Sequence, residues 1–66
     1  MQIVLRQVAT NLFFGMDSHW IFTPLDAKFF DSPLAAYRFA RARAFAGVEV
    51  VLLMADGRLG GSLPVA

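Results

Sequence analysis

Two segments of the chain contain unbroken apolar runs, residues 2–9 (QIVLRQVA) and residues 48–54 (VEVVLLM). Both are rich in β-branched and long aliphatic side chains and contain neither Gly nor Pro, which predicts two strands. We expect residues 10 and 11 (TN) to bend or bulge the first strand. Successive strand residues point to opposite faces of a sheet, so these runs, interrupted in the second segment by Glu49, predict apolar side chains on both faces.

A hairpin is predicted between these segments, at LFFGMDSHWIF. Aromatic clusters lie on either side of Gly15 and Asp17, residue types that are common in turns. The connecting loop should have about four or five residues. Trp20 and Phe22 are two positions apart on the second arm and therefore share one face of it.

A helix is predicted to begin at the sequence DSP. Ser32 is a good N-cap, Pro33 suits the first helical position, and Asp31 places negative charge where the helix dipole favours it. The Ala-rich segment that follows should end at Gly47, which suits a left-handed C′ position, after about fourteen residues. At 100° per residue, the inward arc is expected to contain Ala35, Phe39, Ala42 and Ala46, with Ala36 beside it.

The order of elements is therefore β-β-α-β, with a possible short last strand. It predicts an α+β domain in which one helix packs on one face of a small antiparallel or mixed sheet. Asp56 and Gly57 form a hairpin-turn dipeptide. We expect residues 1–56 to form a single compact domain and residues 57–66 a turn followed by a loose or short-strand tail, because Gly60, Gly61 and Pro64 disfavour a regular strand.

The composition adds a prediction about association, because the chain is short and unusually apolar. It has 66 residues, of which 58% are hydrophobic and 17% charged, and it has no cysteine. A domain of this size buries only about 60% of its unfolded surface, and disulfides cannot supplement its core. One helix covers one sheet face, so the second apolar face predicts a homodimer. A different protein partner, or a monomer with an exposed patch, are the alternatives.

The residues expected to be largely buried, in the core or in the interface, can be named. Trp20 and Phe22 are the candidate interface residues. The full set is Ile3, Leu5, Trp20, Phe22, Phe30, Phe39, Val50 and Leu52.

The chain contains no apolar run that approaches the ~20 residues of a membrane span. The N-terminal MQIVLRQVAT lacks the pattern of a secretory signal. We therefore expect a cytoplasmic protein with no membrane association.

Three arginines of the helix, Arg38, Arg41 and Arg43, are the candidate contacts for a partner or an anion. No acidic residue lies between Asp31 and Glu49, which favours a local anion site. The alternative is a solvated helix face whose arginines pair with acidic residues elsewhere and cover apolar surface with their stems. The net charge is only +1, so nucleic-acid binding through these arginines is possible but is not the favoured function.

The residue types needed for catalysis are sparse. His19 is the only histidine, and a zinc or iron site needs three or four converging ligands. The sequence GRLGGS at residues 57–62 resembles a phosphate loop, but no helix follows to bind the anion. We therefore predict no cofactor, no metal and no enzymatic activity.

Several residues occur in an order that resembles a loose group of short bacterial α+β proteins with no assigned activity. The matching positions are Phe13, Phe14 and Gly15, then Trp20, then Ala27, Phe30, Ser32 and Ala36, followed by the apolar strand VEVVLL. The resemblance implies a bacterial source and a compact α+β unit, and it implies no catalytic residues. Together with the composition, it predicts a small non-enzymatic protein that acts by protein–protein association, as a homodimer through its sheet.

Overall fold

The computed structural model describes residues 1–65 and has one helix and five strands in a single antiparallel sheet, which confirms the predicted α+β class. The strand order is β3-β2-β1-β4-β5. The elements are β1 (Gln2–Gln7), β2 (Leu12–Phe14), β3 (Trp20–Ile21), α1 (Pro33–Ala42), β4 (Val48–Leu53) and β5 (Leu59–Val65), with a 3-10 turn at Pro24–Asp26.

The first predicted strand is in fact two strands. Residues 8–11 reverse the chain, so that β2 pairs antiparallel with β1 and Leu12 lies opposite Gln7. The Asn11 amide donates to the Gln7 carbonyl at 2.8 Å, and Asn11 has φ 59°. Asn tolerates this left-handed conformation better than most residues. The prediction of a bend or bulge within one strand is therefore wrong, but the strand is interrupted at the predicted residues.

The hairpin that joins β2 to β3 is confirmed. Phe13 pairs with Ile21 and Phe14 with Trp20. The Gly15 amide donates to the His19 carbonyl at 2.7 Å, which closes a five-residue loop at residues 15–19.

The helix begins as predicted. The Ser32 hydroxyl accepts a hydrogen bond from the Ala35 amide at 3.1 Å, and Pro33 is the first helical residue. These two features satisfy or remove backbone donors that have no partner inside the helix.

The predicted helix end at Gly47 is wrong, because α1 ends at Ala42. The Ala44 amide donates to the Arg41 carbonyl and the Phe45 amide to the Ala40 carbonyl, both at 3.0 Å. This is a Schellman motif, and its C′ residue is Ala44, with φ 56°. The physical reason is tertiary: the motif turns the Phe45 ring back onto the core.

The predicted inward arc of the helix is only partly correct, because Ala36 and Phe39 contact the core but Ala42 and Ala46 do not. Ala36 and Ala40 are fully buried, whereas Ala42 is exposed. Phe39 lies half-buried at the side of this contact. Small residues at the centre of the contact let α1 lie against β1, β4 and β5, as in other folds in which a helix covers a sheet.

The core lies between α1 and the face of the sheet that it covers. It combines aliphatic residues of β1 and β4 with a cluster of aromatic rings. Its buried members are Ile3, Leu5, Phe14, Ala36, Ala40, Val48, Val50 and Val65, and Trp20, Phe30, Tyr37, Phe39, Phe45 and Leu52 pack against them half-buried. Among the residues expected to be buried, Phe22 differs from the rest, because it is 84% exposed.

The sequence predicts that the opposite face of the sheet is uncovered, but the structure buries apolar side chains on this face. Val4 and Val51 are 0% and 1% exposed, and they form a second buried cluster with Phe13 and Ala27. Ile21 packs against this cluster. The expectation that a second copy must cover this face is therefore wrong, because the chain buries these side chains itself.

The possible last strand is present as β5, which pairs with β4 after a turn at Asp56 and Gly57. Gly57 has φ 87°, and its amide donates to the Met54 carbonyl at 3.0 Å. The predicted tail also included Ala66, which lies outside the described residues.

Candidate association surface

The sheet has two edges, and they differ in length. β3 forms one edge with two residues, and β5 forms the other with seven. An edge strand presents backbone amides and carbonyls that are not paired within its sheet, and another chain can pair with them. The longer edge, β5, therefore offers the larger backbone surface.

The β5 edge is exposed and carries no charge. Its sequence is LGGSLPV, and every residue except Val65 is exposed. Leu63 is 51% exposed and Leu59 is 39% exposed. Natural proteins commonly protect edge strands with charged side chains, with proline or with bulges. Here Pro64 and a bulge are present, and charge is not.

The backbone of Ser62 faces the open edge. Pro64 lies opposite Glu49 in the ladder and has no N–H, so these two residues form a non-hydrogen-bonded pair. Pairs alternate along an antiparallel ladder, and Ser62, opposite Val51, is therefore also in a non-hydrogen-bonded pair. Its N–H and C=O consequently point away from β4.

A β-bulge interrupts the ladder at two glycines. Ser62 pairs with Val51 but Leu59 pairs with Leu53, so Gly60 and Gly61 both lie opposite Leu52. A Cβ at Gly60 would lie 3.1 Å from Met54 Sδ, which is a tight contact. Beyond its two chain neighbours, and within residues 1–65, a Cβ at Gly61 would meet Leu52 Cδ1 alone, at the ordinary contact distance of 3.8 Å. Gly61 therefore leaves open space beside Leu52.

This open space is part of a shallow groove on the helix-covered face. The groove has a volume of about 200 Å³ and is lined by Pro33, Val50, Leu52, Gly61, Ser62 and Leu63. Its lining is mostly apolar, and it borders the free backbone of β5. The edge strand and the groove together form what we call the β5 surface.

The β3 edge carries Phe22, one of the two candidate interface residues. Phe22 follows β3 and borders a larger concavity of about 680 Å³, which also contains Met16 and Trp20. Asp17 and Asp26 line the same concavity. Two copies that met through this edge would bring like charges together, which is unfavourable.

Trp20, the other candidate interface residue, packs against the core. Its ring centroid lies 5.3 Å from that of Phe14 and 5.5 Å from that of Phe45, in edge-to-face or tilted arrangements. Such pairs stabilise a core beyond the area they bury. Trp20 is half-buried, so one part of its surface also borders the β3 concavity.

The three candidate arginines do not form one continuous surface feature. Arg38 and Arg41 are exposed on α1. Arg43 follows the helix, and its guanidinium lies 4.7 Å from the centroid of the Phe39 ring. Lys28 Nζ lies 5.8 Å from the same ring. Phe39 therefore engages two cations through its π-system, and anion binding by Arg38 and Arg41 stays a prediction.

Charged and titratable side chains elsewhere occur mainly as separate pairs. His19 Nδ1 lies 3.2 Å from Asp17 Oδ2, and Arg58 Nε donates to Asp56 Oδ2 at 2.6 Å; both pairs are exposed. Within residues 1–65, no three His, Asp or Glu side chains converge as metal ligands. The same residues include no helix with the length and apolar character needed to cross a membrane.

Comparison of the chain with protein-family models, with curated proteins and with solved structures finds no match.

Sequence reasoning missed the residues of the β5 surface, chiefly Gly61, Ser62 and Leu63. The glycines and Pro64 predicted a loose tail, whereas they form a bulge and an edge position that tolerates proline. One signal was available: Asp56 and Gly57 predict a hairpin, and a hairpin requires a returning strand after the turn.

Proposed function

We propose that this protein acts by protein–protein association, as a homodimer that forms through its sheet at the β5 surface. The observation that carries the proposal is the seven-residue, uncharged and exposed edge strand, on which the backbone of Ser62 points outward. Backbone pairing across such an edge is a common way for proteins to bind an extended segment.

A second copy of the same chain suits this edge well. Antiparallel pairing of a strand with itself is reciprocal, as a two-fold dimer requires. Because β5 has no charged residue, the pairing places no like charges opposite each other. A dimer would also bury Leu63, which is half exposed, and would add to the limited core of a 66-residue domain.

We propose that this role is non-enzymatic. Polar side chains in contact include Arg6 with Glu49, which pair across β1 and β4, and two exposed pairs on turns, Asp17 with His19 and Asp56 with Arg58. None of these three pairs borders the apolar groove beside β5. The apolar side chains and the unpaired backbone groups of β5 are suited to binding another protein surface.

Light scattering coupled to size-exclusion chromatography tests the proposal. The wild-type chain should elute as a dimer whose fraction rises with concentration. Ser62→Lys places a charge on the edge and should shift the protein to the 7.3 kDa monomer. Met16→Lys adds the same charge on the hairpin loop beside the opposite edge, where Met16 is 74% exposed, and should leave the dimer intact.

Two results would contradict the proposal. A wild-type protein that is monomeric at every concentration has no self-association to explain. A dimer that persists in Ser62→Lys but dissociates in Phe22→Ser would place the contact at the β3 edge instead.

A further inference from the structure

The register of the proposed dimer can be derived from β5 itself. We infer that two copies of β5 pair antiparallel about a two-fold axis at Ser62, and that Leu63 of each copy fills the space beside Gly61 of the other. This inference rests on the proposed function, because it specifies how the two copies meet at the β5 surface.

The backbone argument concerns which residues can exchange hydrogen bonds across the new edge. Ser62 has both an N–H and a C=O that point outward, whereas Pro64 offers only a C=O. With the axis at Ser62, the two Ser62 residues satisfy each other reciprocally. With the axis at Leu63, Ser62 faces Pro64, and the Ser62 carbonyl finds no donor. The axis at Ser62 is therefore favoured over an axis at Leu63.

The side-chain argument gives the same register. With the axis at Ser62, Gly61 of one copy lies opposite Leu63 of the other in a non-hydrogen-bonded pair, where side chains approach most closely. Leu63 lies opposite Val50 in the ladder and so lies on the helix-covered face, where the groove beside Gly61 opens. Each leucine thus enters the groove at the one position without a side chain.

The contact also covers apolar surface that the single chain leaves exposed. Leu52 is half-buried, and its Cδ1 lies 3.8 Å from the position that a Cβ at Gly61 would take. Leu63 of the second copy would cover Leu52 there. The two-fold axis repeats the contact, so the dimer gains it twice.

Disulfide trapping tests the position of the axis, since the chain has no cysteine of its own. Residues in a hydrogen-bonded antiparallel pair have Cα atoms about 5.5 Å apart, within the range a disulfide spans. Ser62→Cys should therefore form a covalent dimer on mild oxidation. Leu63→Cys should not, because the two Leu63 residues lie diagonally apart in this register. The reverse result would place the axis at Leu63 and overturn the inference.

A reciprocal exchange tests the packing of Leu63 beside Gly61. Gly61→Leu fills the groove and should weaken dimerisation by about tenfold or more, and Leu63→Gly should do the same by removing the inserted side chain. The double variant Gly61→Leu with Leu63→Gly restores a leucine opposite a glycine and should recover much of the affinity. Gly61 tolerates a Cβ in the single chain, and circular dichroism would verify that each variant is folded.

The outcomes separate this inference from the proposed function. Suppose that Ser62→Lys dissociates the wild-type dimer, but Ser62→Cys gives no covalent dimer and Gly61→Leu loses no affinity. These results would support association through the β5 surface and would overturn the proposed register. A monomeric wild-type protein would overturn both.

Discussion

At the scale of single residues, Glu49 shows how a partner distant in sequence determines where a charge lies. Glu49 is 8% exposed in a strand of apolar residues. It lies directly opposite Arg6, whose Nε donates to Glu49 Oε2 at 2.7 Å and whose Nη2 contacts the same oxygen. The sequence identifies Glu49 as an exception in its strand. It cannot identify Arg6 as the partner, because that depends on the register between two strands far apart in the chain.

Glu49→Gln should lower the free energy of unfolding by about 1–3 kcal/mol, because the Arg6 guanidinium, which is only partly exposed, loses its countercharge. Urea titration monitored by Trp20 fluorescence measures this. Asp56→Asn is the matched control: it removes the charge of an exposed pair and should change stability by less than about 1 kcal/mol. Equal losses in the two variants would mean that the Arg6–Glu49 pair has no special role.

At the scale of secondary-structure elements, the two ends of α1 differ in how far the sequence predicts them. The beginning depends on Ser32 and Pro33, which act within one turn, and the prediction is correct. The end depends on Phe45, which packs against Phe14 at a centroid distance of 5.4 Å. That contact stops the helix before Gly47 and forces Ala44 into a left-handed conformation. A local pattern contains no information about this long-range contact.

Ala44→Gly should raise the free energy of unfolding by about 1 kcal/mol, because Gly adopts the left-handed conformation without the steric penalty of a Cβ. Thermal unfolding followed by circular dichroism measures the change. Ala46→Gly is the control: Ala46 is exposed nearby without a positive φ, so this variant should be neutral or slightly destabilising. The account of the Schellman motif would fail if the two variants shifted stability in the same direction by the same amount.

At the scale of the whole molecule, the α+β class follows from the order of the apolar segments, but the covering of the sheet does not. The sequence predicts apolar side chains on both faces, as Leu5 and Val4 illustrate, and both are fully buried. Which segment covers the second face depends on where residues 22–30 run, and Ala27, in that segment, joins the second cluster. For this reason the sequence predicts an association site on an open face of the sheet, whereas the structure favours the β5 edge.

Phe14 and Phe22 should differ sharply in their contribution to the stability of the whole molecule. Phe14 is 3% exposed and contacts Trp20, Phe39 and Phe45, so Phe14→Ala should lower the free energy of unfolding by about 3–5 kcal/mol. Phe22→Ala should have little effect on unfolding, since this ring is 84% exposed. Denaturant titration of both variants at one low concentration provides the comparison. A large loss for Phe22→Ala would show that this ring is buried in solution.

The central position of β1 has a consequence for folding during synthesis on the ribosome. β1 lies between β2 and β4 in the sheet, yet β4 is synthesised only after the helix. Before residues 48–53 have left the ribosome, β1 can pair with β2 at Arg6 and Gln7, whereas its whole length from Gln2 to Gln7 pairs with β4. We therefore expect the sheet to close late, when β4 pairs with β1, because pairing between strands distant in sequence is slow.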